Sequence, residues 1–454
     1  MLDYLIRFAQ AHETFRLPEI QSLAVLEGID LHVLEYKTES PFCLVRLPSE
    51  DAAKRLVRRA ILVQSIFEFW GSGKTLEDLH ASVRGNSSHL WDKYRSSSFK
   101  FWVDSYQGTR PNDVRLDLIQ SFSFLPFDGE VRMRNPDEEF TIFEEWHVDA
   151  MPLGLPDPEY YYMGRRVAYG ARELPKKYDL KKRRYISTTS MDSELALISA
   201  NMVLAGPGKL MYDPFAGTGS FPIACAQFGS LVFGSDIDGR SIRGQGGNHN
   251  VRSNFDQYGL SHRIGGFFTA DLTNTPIRRS RLKEPGSRGG DGFRRIFDGI
   301  LCDPPYGVRE GLFVLGVRDP VKSPWVVEAG IQMYKSPEFI PPKKPYSFLA
   351  MLDDILQFAA ETVVDNGRLS FWMPTANDDE QEIPVPTHPF LDLIAVSTQV
   401  FNKWSRKLIT YRRKPDTEVD STVVKEWQSR THVDGTTVNE LNPFRRGYFN
   451  RFEA

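Results

Sequence analysis

A chain of 454 residues is long enough for about two to four domains. Its hydrophobic residues (41%) and charged residues (25%) strike the balance of a globular protein, and no apolar run is long enough to span a bilayer. The net charge of −3 excludes a globally basic nucleic-acid binder, so any grip on a polyanion has to be local.

The N-terminus, MLDYLIRFAQAHETF, carries Asp3, Arg7 and Glu13 where a signal peptide would need an uninterrupted apolar stretch. Cys43, Cys225 and Cys302 lie far apart, each in an apolar segment. That pattern predicts buried free thiols in a reducing, cytoplasmic setting, with neither disulfides nor a metal site. DYLIRFA then reads as a strand, LPEIQSLAVLEG as a helix with Pro18 near its first turn, and LHVLEYK and FCLVRL as strands. SEDAAKRLVRRA reads as a helix capped by Ser49, and ILVQSIFEF as a closing strand. The order β-α-β-β-α-β is that of a ferredoxin-like domain, placed over residues 1–70. Gly71-Ser-Gly-Lys-Thr75 imitates the end of a phosphate-binding P-loop, but Glu68 stands where that loop needs its first glycine. The stretch is read instead as a turn followed by the cap of the helix TLEDLHASV. FKFWVDSY, DVRLDLIQSF and EFTIFEEWHV continue a second small α/β unit, placed over residues 71–165.

Between Met163 and Tyr185 the chain turns basic: Arg165, Arg166, Arg172, Lys176, Lys177, Lys181, Lys182, Arg183 and Arg184 stand against Glu173 and Asp179. Such a segment suits phosphates, and equally a solvated linker, placed over residues 166–185. From Tyr185 the pattern becomes regular. Helix SELALISANMVLAG, strand KLMYD, helix GSFPIACAQFG, strand LVFGSD, a helical region to Tyr258, strand RIGGFFTAD and strand FDGILCD follow in turn. The helix FLAMLDDILQFAAETVV, strand GRLSFWMP, a helix around PFLDLIA and strands VSTQVF and KLITYRR complete the alternation. This is a doubly wound, mostly parallel sheet over residues 186–415. Its last two strands are joined by a link too short for anything but an antiparallel hairpin. A C-terminal extension covers 416–454, and its run from Asn442 to Arg451 mixes arginines with aromatics.

The chemistry gathers at the predicted strand ends. In Asp213-Pro-Phe-Ala-Gly-Thr-Gly-Ser220, Gly217 and Gly219 permit a tight turn and close approach of a ligand where strand becomes helix. Pro222 replaces the third glycine of a dinucleotide fingerprint, and the carboxylate of Asp213 suits a ligand with an amino group and hydroxyls better than a pyrophosphate. Asp236 ends the next strand and suits ribose hydroxyls, while Asp271 ends the third and suits either an adenine amino group or a helix cap. Asp303-Pro-Pro-Tyr-Gly307 ends the fourth. An exocyclic amino group on a base is a poor nucleophile, because its lone pair is delocalised into the ring. The Asp303 carboxylate and the Pro304 carbonyl can each accept one of its N–H bonds, with Pro304 and Pro305 stiffening the turn. Tyr306 offers a ring for the base to stack on.

Asp213–Ser220 and Asp303–Gly307 resemble the two motifs of class I (Rossmann-like) amino-methyltransferases of the D-P-P-Y type. The N-terminal α+β units look like the ferredoxin-like and THUMP domains of tRNA modification enzymes. Together with Thr188-Thr-Ser-Met-Asp192, they make the chain similar to the family of eukaryotic catalytic subunits of tRNA guanosine-10 N2-methyltransferase. The resemblance implies S-adenosyl-L-methionine held by Thr189, Asp213, Pro214, Phe215, Ala216, Gly217, Thr218, Gly219, Asp236, Ile237, Asp271 and Leu272. It implies catalysis at Asp303, Pro304, Pro305 and Tyr306. A tRNA would be gripped at Arg165, Arg166, Lys176, Lys177, Lys181, Lys182, Arg183 and Arg184. It also implies a partner, the small zinc-binding methyltransferase activator. Two other functions use similar motifs: a DNA adenine or cytosine amino-methyltransferase, which the RNA-type N-terminal domains oppose, and a catalytically dead tRNA binder, which the intact acids oppose. A glutamine methyltransferase would typically begin the second motif with Asn.

Overall fold

A computed structural model of the chain describes residues 1–244, 248–279, 295–307, 311–316, 327–328, 331–332, 342–376, 383–401 and 404–428. The chain divides into two compact units, Met1–Arg16 with Leu23–Arg172, and Leu17–Ser22 with Glu173–Ala454.

The N-terminal elements run β1 (Leu2–Phe8), α1 (Glu13–Glu27), β2 (His32–Tyr36), β3 (Phe42–Leu47), α2 (Glu50–Val57) and β4 (Val63–Gly73). After them come α3 (Leu76–Ser87), α4 (Trp91–Tyr94), β5 (Phe99–Tyr106), α5 (Asn112–Gln120), β6 (Glu138–Glu145), α6 (Ala150–Leu153) and β7 (Tyr160–Tyr169). The caps follow local chemistry. The Ser49 side chain accepts from the Ala52 amide, and Thr75 forms a capping box with Asp78. The helix α1 starts earlier than its sequence suggests and carries Pro18 in its interior.

The strand order β2-β3-β1-β4-β7-β6-β5 corrects the picture of two separate small domains. The first four strands have the expected ferredoxin-like order, but β4 runs on through Gly71–Gly73 to pair with β7. The presumed turn at Gly71 is therefore strand, and one sheet serves both halves. The pairing of β4 with β7 shifts register between Ile66 and Phe67 and again between Phe69 and Gly71. Bulges of this kind bend a strand. In a flat sheet β1 and β5 would lie about 19 Å apart. Instead Arg7 Nε reaches Asp104 Oδ2 at 3.0 Å, and the Phe42 and Tyr106 rings meet at 6.3 Å. The sheet therefore curls around an aromatic interior of Phe42, Phe67, Tyr106 and Phe143.

The second unit runs α7 (Leu174–Lys177), α8 (Ser193–Met202), β8 (Leu210–Asp213), α9 (Ser220–Gln227), β9 (Leu231–Asp236), α10 (Gly239–Arg243), α11 (Val251–Tyr258), β10 (Ile264–Thr269) and β11 (Phe297–Cys302). Two short ladders follow, β12 (Phe313–Leu315) with β15 (Lys343–Pro345) and β13 (Val327–Glu328) with β14 (Ile331–Gln332). The chain ends in α12 (Phe348–Thr362), β16 (Val363–Ala376), β17 (Leu391–Val400), β18 (Trp404–Arg413) and α13 (Ser421–Gln428). The order β10-β9-β8-β11-β16-β18-β17 is parallel except for β18, which lies antiparallel between β16 and β17. That is the class I methyltransferase arrangement, with the carboxyl ends of β8 to β11 on one edge. Beneath it α12 buries Met351, Leu352, Ile355 and Phe358, and Phe358 meets Tyr212, which stacks on Phe297 at 4.9 Å.

The segment around PFLDLIA, read as a helix, is strand instead. Leu391–Ala395 lies within β17 and pairs with β18, with a register shift between Leu393 and Ala395. A short apolar run does not distinguish the two states by periodicity, and here a waiting strand partner decides it.

Candidate active site

The turn after β8 is built as its glycines demand. Gly217 and Gly219 have φ of 50° and 86°, the left-handed region closed to most side chains. A Cβ on Gly219 would also sit 3.1 Å from Val251 of α11, so this residue serves the turn and its packing. The Gly217 amide donates to Asp236 Oδ2 at 3.0 Å, and the Asp238 amide to Asp236 Oδ1 at 2.8 Å. Backbone thus holds both oxygens of the Asp236 carboxylate at the end of β9. The Ser187–Met191 stretch leans on the same turn: Ser190 Oγ meets Thr218 Oγ1 at 2.7 Å, and Asn254 Nδ2 donates to the carbonyls of Tyr185 and Thr218.

These elements open on one cavity of about 790 Å³, a size suited to a nucleoside-bearing ligand. Every residue expected to touch cofactor or to catalyse lines it except Gly219. Five carboxylates face it, those of Asp213, Asp236, Asp238, Asp271 and Asp303; among the described residues its cations are Lys343 and Arg406. Burial pushes the Asp213 carboxyl well above its usual range, the Phe215 amide opposes this at 2.9 Å, and Asp236 and Asp303 add repulsion. A cavity with that charge balance favours a cationic occupant.

Asp303 follows β11. The Tyr306 hydroxyl donates to Asp303 Oδ1, and Arg406 Nη1 of β18 stands 3.9 Å from Asp303 Oδ2. Burial and the Asp303 charge push the Tyr306 phenol well up, so it stays a proton donor. The Tyr306 ring meets Trp404 edge-on at 6.3 Å, and Trp404 stacks on Phe401 at 4.6 Å.

Asp271 lines the cavity, but its carboxylate is taken up by its own loop and by the backbone of β12. Oδ1 accepts from the Thr273 amide and hydroxyl and the Asn274 amide, while Oδ2 accepts from the Leu315 amide at 2.8 Å. Burial works against its charge, yet these bonds hold the carboxyl below its usual range. Of the two roles open to Asp271, loop cap and adenine acceptor, the geometry serves the first. Phe401, Trp404, Arg406, Phe313 and Lys343 also line the cavity, and none of them was legible as a site residue. The alternation in WSRKLITYRR sets Trp404 and Arg406 on one face of a strand, but only the sheet order turns that face to the cavity.

The basic segment separates on inspection. Arg165 is a correction: it lies buried in β7, with Nε on Glu68, Nη1 on Glu138 and Nη2 on Glu50. Arg166 pairs with Glu139, and Arg183 is buried with Nη1 on Ser220 Oγ at 2.8 Å. Arg165 and Arg183 are buried and Arg166 is half-buried, so none of the three stands on the open surface as the lysines do. Lys176, Lys177, Lys181, Lys182 and Arg184 are exposed. The run from Asn442 to Arg451 lies outside the described residues. Cys43, Cys225 and Cys302 are free and buried, and no helix among the described residues is long and apolar enough to cross a membrane.

Residues 2–172 match the family model of the Tmrp11 THUMP N-terminal domain. The chain is 40% identical to the tRNA (guanine(10)-N(2))-methyltransferase of Saccharomyces cerevisiae, over the whole of both chains. It is 34% identical to the Schizosaccharomyces pombe protein of that name, over 91% of this chain and 90% of the relative. With the human protein of that name, the identity is 33% over 98% of this chain and 95% of the relative.

Proposed function

The chain belongs to the tRNA (guanine(10)-N(2))-methyltransferase family, and from that premise we propose that it methylates the exocyclic N2 of guanosine 10 in tRNA. One observation carries the reading: the Asp303–Tyr306 turn and the Asp213 and Asp236 carboxylates open on the same cavity. S-adenosylmethionine, which brings an electrophilic methyl group on a sulfonium, fits a pocket lined by acids and few cations. Asp236 is placed for ribose hydroxyls, the Gly217 turn for close backbone approach, and Asp213 for the positive end. Asp303 and the Pro304 carbonyl accept the two N–H bonds of N2, which turns the nitrogen lone pair outward, while Tyr306 and Trp404 supply aromatic surface for an extruded base.

The family reading extends to a partner. We place the small zinc-binding activator at β10, the edge strand of the catalytic sheet. An edge leaves backbone groups open to pairing, and β10 carries Gly265, Gly266, Phe267 and Phe268. The buried free thiols suit a reducing, cytoplasmic compartment. Incubating unmodified tRNA with labelled S-adenosylmethionine should yield N2-methylguanosine at position 10 by nucleoside mass spectrometry, with a well-behaved enzyme only on co-expression with the activator. A different modified nucleoside would overturn the reaction, and a soluble, fully active lone chain would overturn the partner.

For RNA, the exposed cations of the basic segment carry the proposal. Reversing Lys181, Lys182 and Arg184 to Glu should weaken binding of every tRNA and reduce the slope of log affinity against log salt by about one per lost phosphate contact. S-adenosylmethionine affinity should not move. Filter binding across a salt series checks this; parental affinity and slope would leave the segment a linker.

A further inference from the structure

Arg406 lies outside both methyltransferase motifs, yet its guanidinium reaches the reacting corner of the cavity. It sits near the start of β18, with Pro374 of β16 on one side and Gln399 of β17 on the other. Its Nε donates to Gln399 Oε1 at 2.7 Å, and its charge lies over the Trp372 ring at 4.7 Å and the Phe401 ring at 5.7 Å. A rigid sheet and two aromatic rings thus fix one cation 3.9 Å from Asp303 Oδ2. The Tyr306 hydroxyl donates to Asp303 Oδ1 and lies within the electrostatic reach of Arg406.

Resting on the proposed reaction, we infer that Arg406 is a positioning residue for Asp303. It keeps the carboxylate ionised and turned to accept from the amino group of the base. The need for it comes from the surroundings. Among the described residues, the titratable groups that act on Asp303 include Asp213 from the end of β8, the buried Cys302 thiol at the end of β11, Tyr306 in its own turn, and Arg406 from β18. Asp213 repels a charge on Asp303, and burial keeps the Cys302 thiol neutral. Arg406 is the group in that set that favours an anion by its charge. A protonated Asp303 would present a donor where the base amino group needs an acceptor.

The sign of the effect follows. Removing a cation beside a carboxylate raises its pKa, typically by about one to three units for a close pair. Methyl transfer that needs ionised Asp303 should then fail at a higher pH. In Arg406→Gln, the acid limb of kcat should move up by about one to three pH units. The loss should grow as pH falls, reaching up to about ten-fold near pH 6 at the larger shift, and be smaller near pH 8. The KM for tRNA and the Kd for S-adenosylmethionine should stay within about two-fold, and Arg406→Lys should restore most of the rate. The S-adenosylmethionine Kd also reports whether each variant keeps its folded pocket.

Three results would overturn the inference: an acid limb at its parental position, a raised tRNA KM at unchanged kcat, which would assign Arg406 to the RNA, or a glutamine variant no slower than its lysine counterpart. No transfer by the parent protein would sink the reaction itself. Parental activity with an unaltered Arg406→Gln profile would sink this inference alone.

Discussion

Asp303→Ala is expected to abolish methyl transfer while leaving S-adenosylmethionine bound with nearly parental affinity. The carboxylate stands at the end of β11, where Tyr306 fixes one oxygen and Arg406 faces the other, whereas the proposed cofactor contacts, Asp213, Asp236 and the Gly217 turn, line the cavity from the ends of β8 and β9. Losing one preorganised acceptor costs on the order of 10²–10³ in rate. The cost should be at the upper end here, because the base amino group is unreactive until its hydrogens are held. Removing one carboxylate weakens the attraction for a cationic cofactor only modestly, because four others still line the cavity. Single-turnover transfer to tRNA and calorimetric titration of S-adenosylmethionine separate the two effects. If affinity falls in step with rate, Asp303 is a cofactor ligand and the assigned role is wrong.

The second large effect falls on stability. Arg165 is held by three carboxylates: Glu68 Oε2 at 3.0 Å, Glu138 Oε2 at 2.9 Å and Glu50 Oε2 at 2.7 Å, with its guanidinium over the Tyr94 ring at 4.6 Å. Glu68 is itself buried and also accepts from Trp70 Nε1 and the Tyr94 hydroxyl. Arg165→Ala would leave a buried cluster of negative charge without its cation, a class of change that costs about 3–5 kcal/mol. Chemical unfolding at neutral pH should show that loss. The deficit should shrink on acidification. Burial raises the Glu50 carboxyl, but Lys54 and Arg165 outweigh this and hold it below its usual value. The stability which that pairing contributes is present above the unfolded-state pKa and lost as pH falls through the folded one. A variant with parental stability but weakened tRNA binding would return Arg165 to the phosphate-binding role its sequence neighbours suggest.

Arg165 shows where sequence reading stops. Charge composition sees nine basic residues between Met163 and Tyr185, but not that the first of them lie within β7. Nothing local marks the difference between Arg165, with all its bonds inside the fold, and Arg184, which is exposed. The same limit explains β17, where Leu391–Ala395 is a short apolar run compatible with helix or strand until β18 supplies the pairing edge. It explains β4 as well, since two glycines in four residues look like a turn until β7 takes up their hydrogen bonds.

What the sequence determined alone was the chemistry that depends on neighbours in the chain. Backbone φ at Gly217 and Gly219, the rigidity of Pro304 and Pro305, the caps at Ser49 and Thr75, and acids at successive strand ends are all short-range demands, and each is met where its residues stand. Tertiary structure decided everything set by which strands meet. It curled the N-terminal sheet until Arg7 reached Asp104, spent the Asp271 carboxylate on Leu315, and brought Arg406 to Asp303 across 102 intervening positions. The physical reason is one of range. Torsional preference and capping act over a few residues, whereas burial and charge pairing depend on distances that exist only once the sheets have closed.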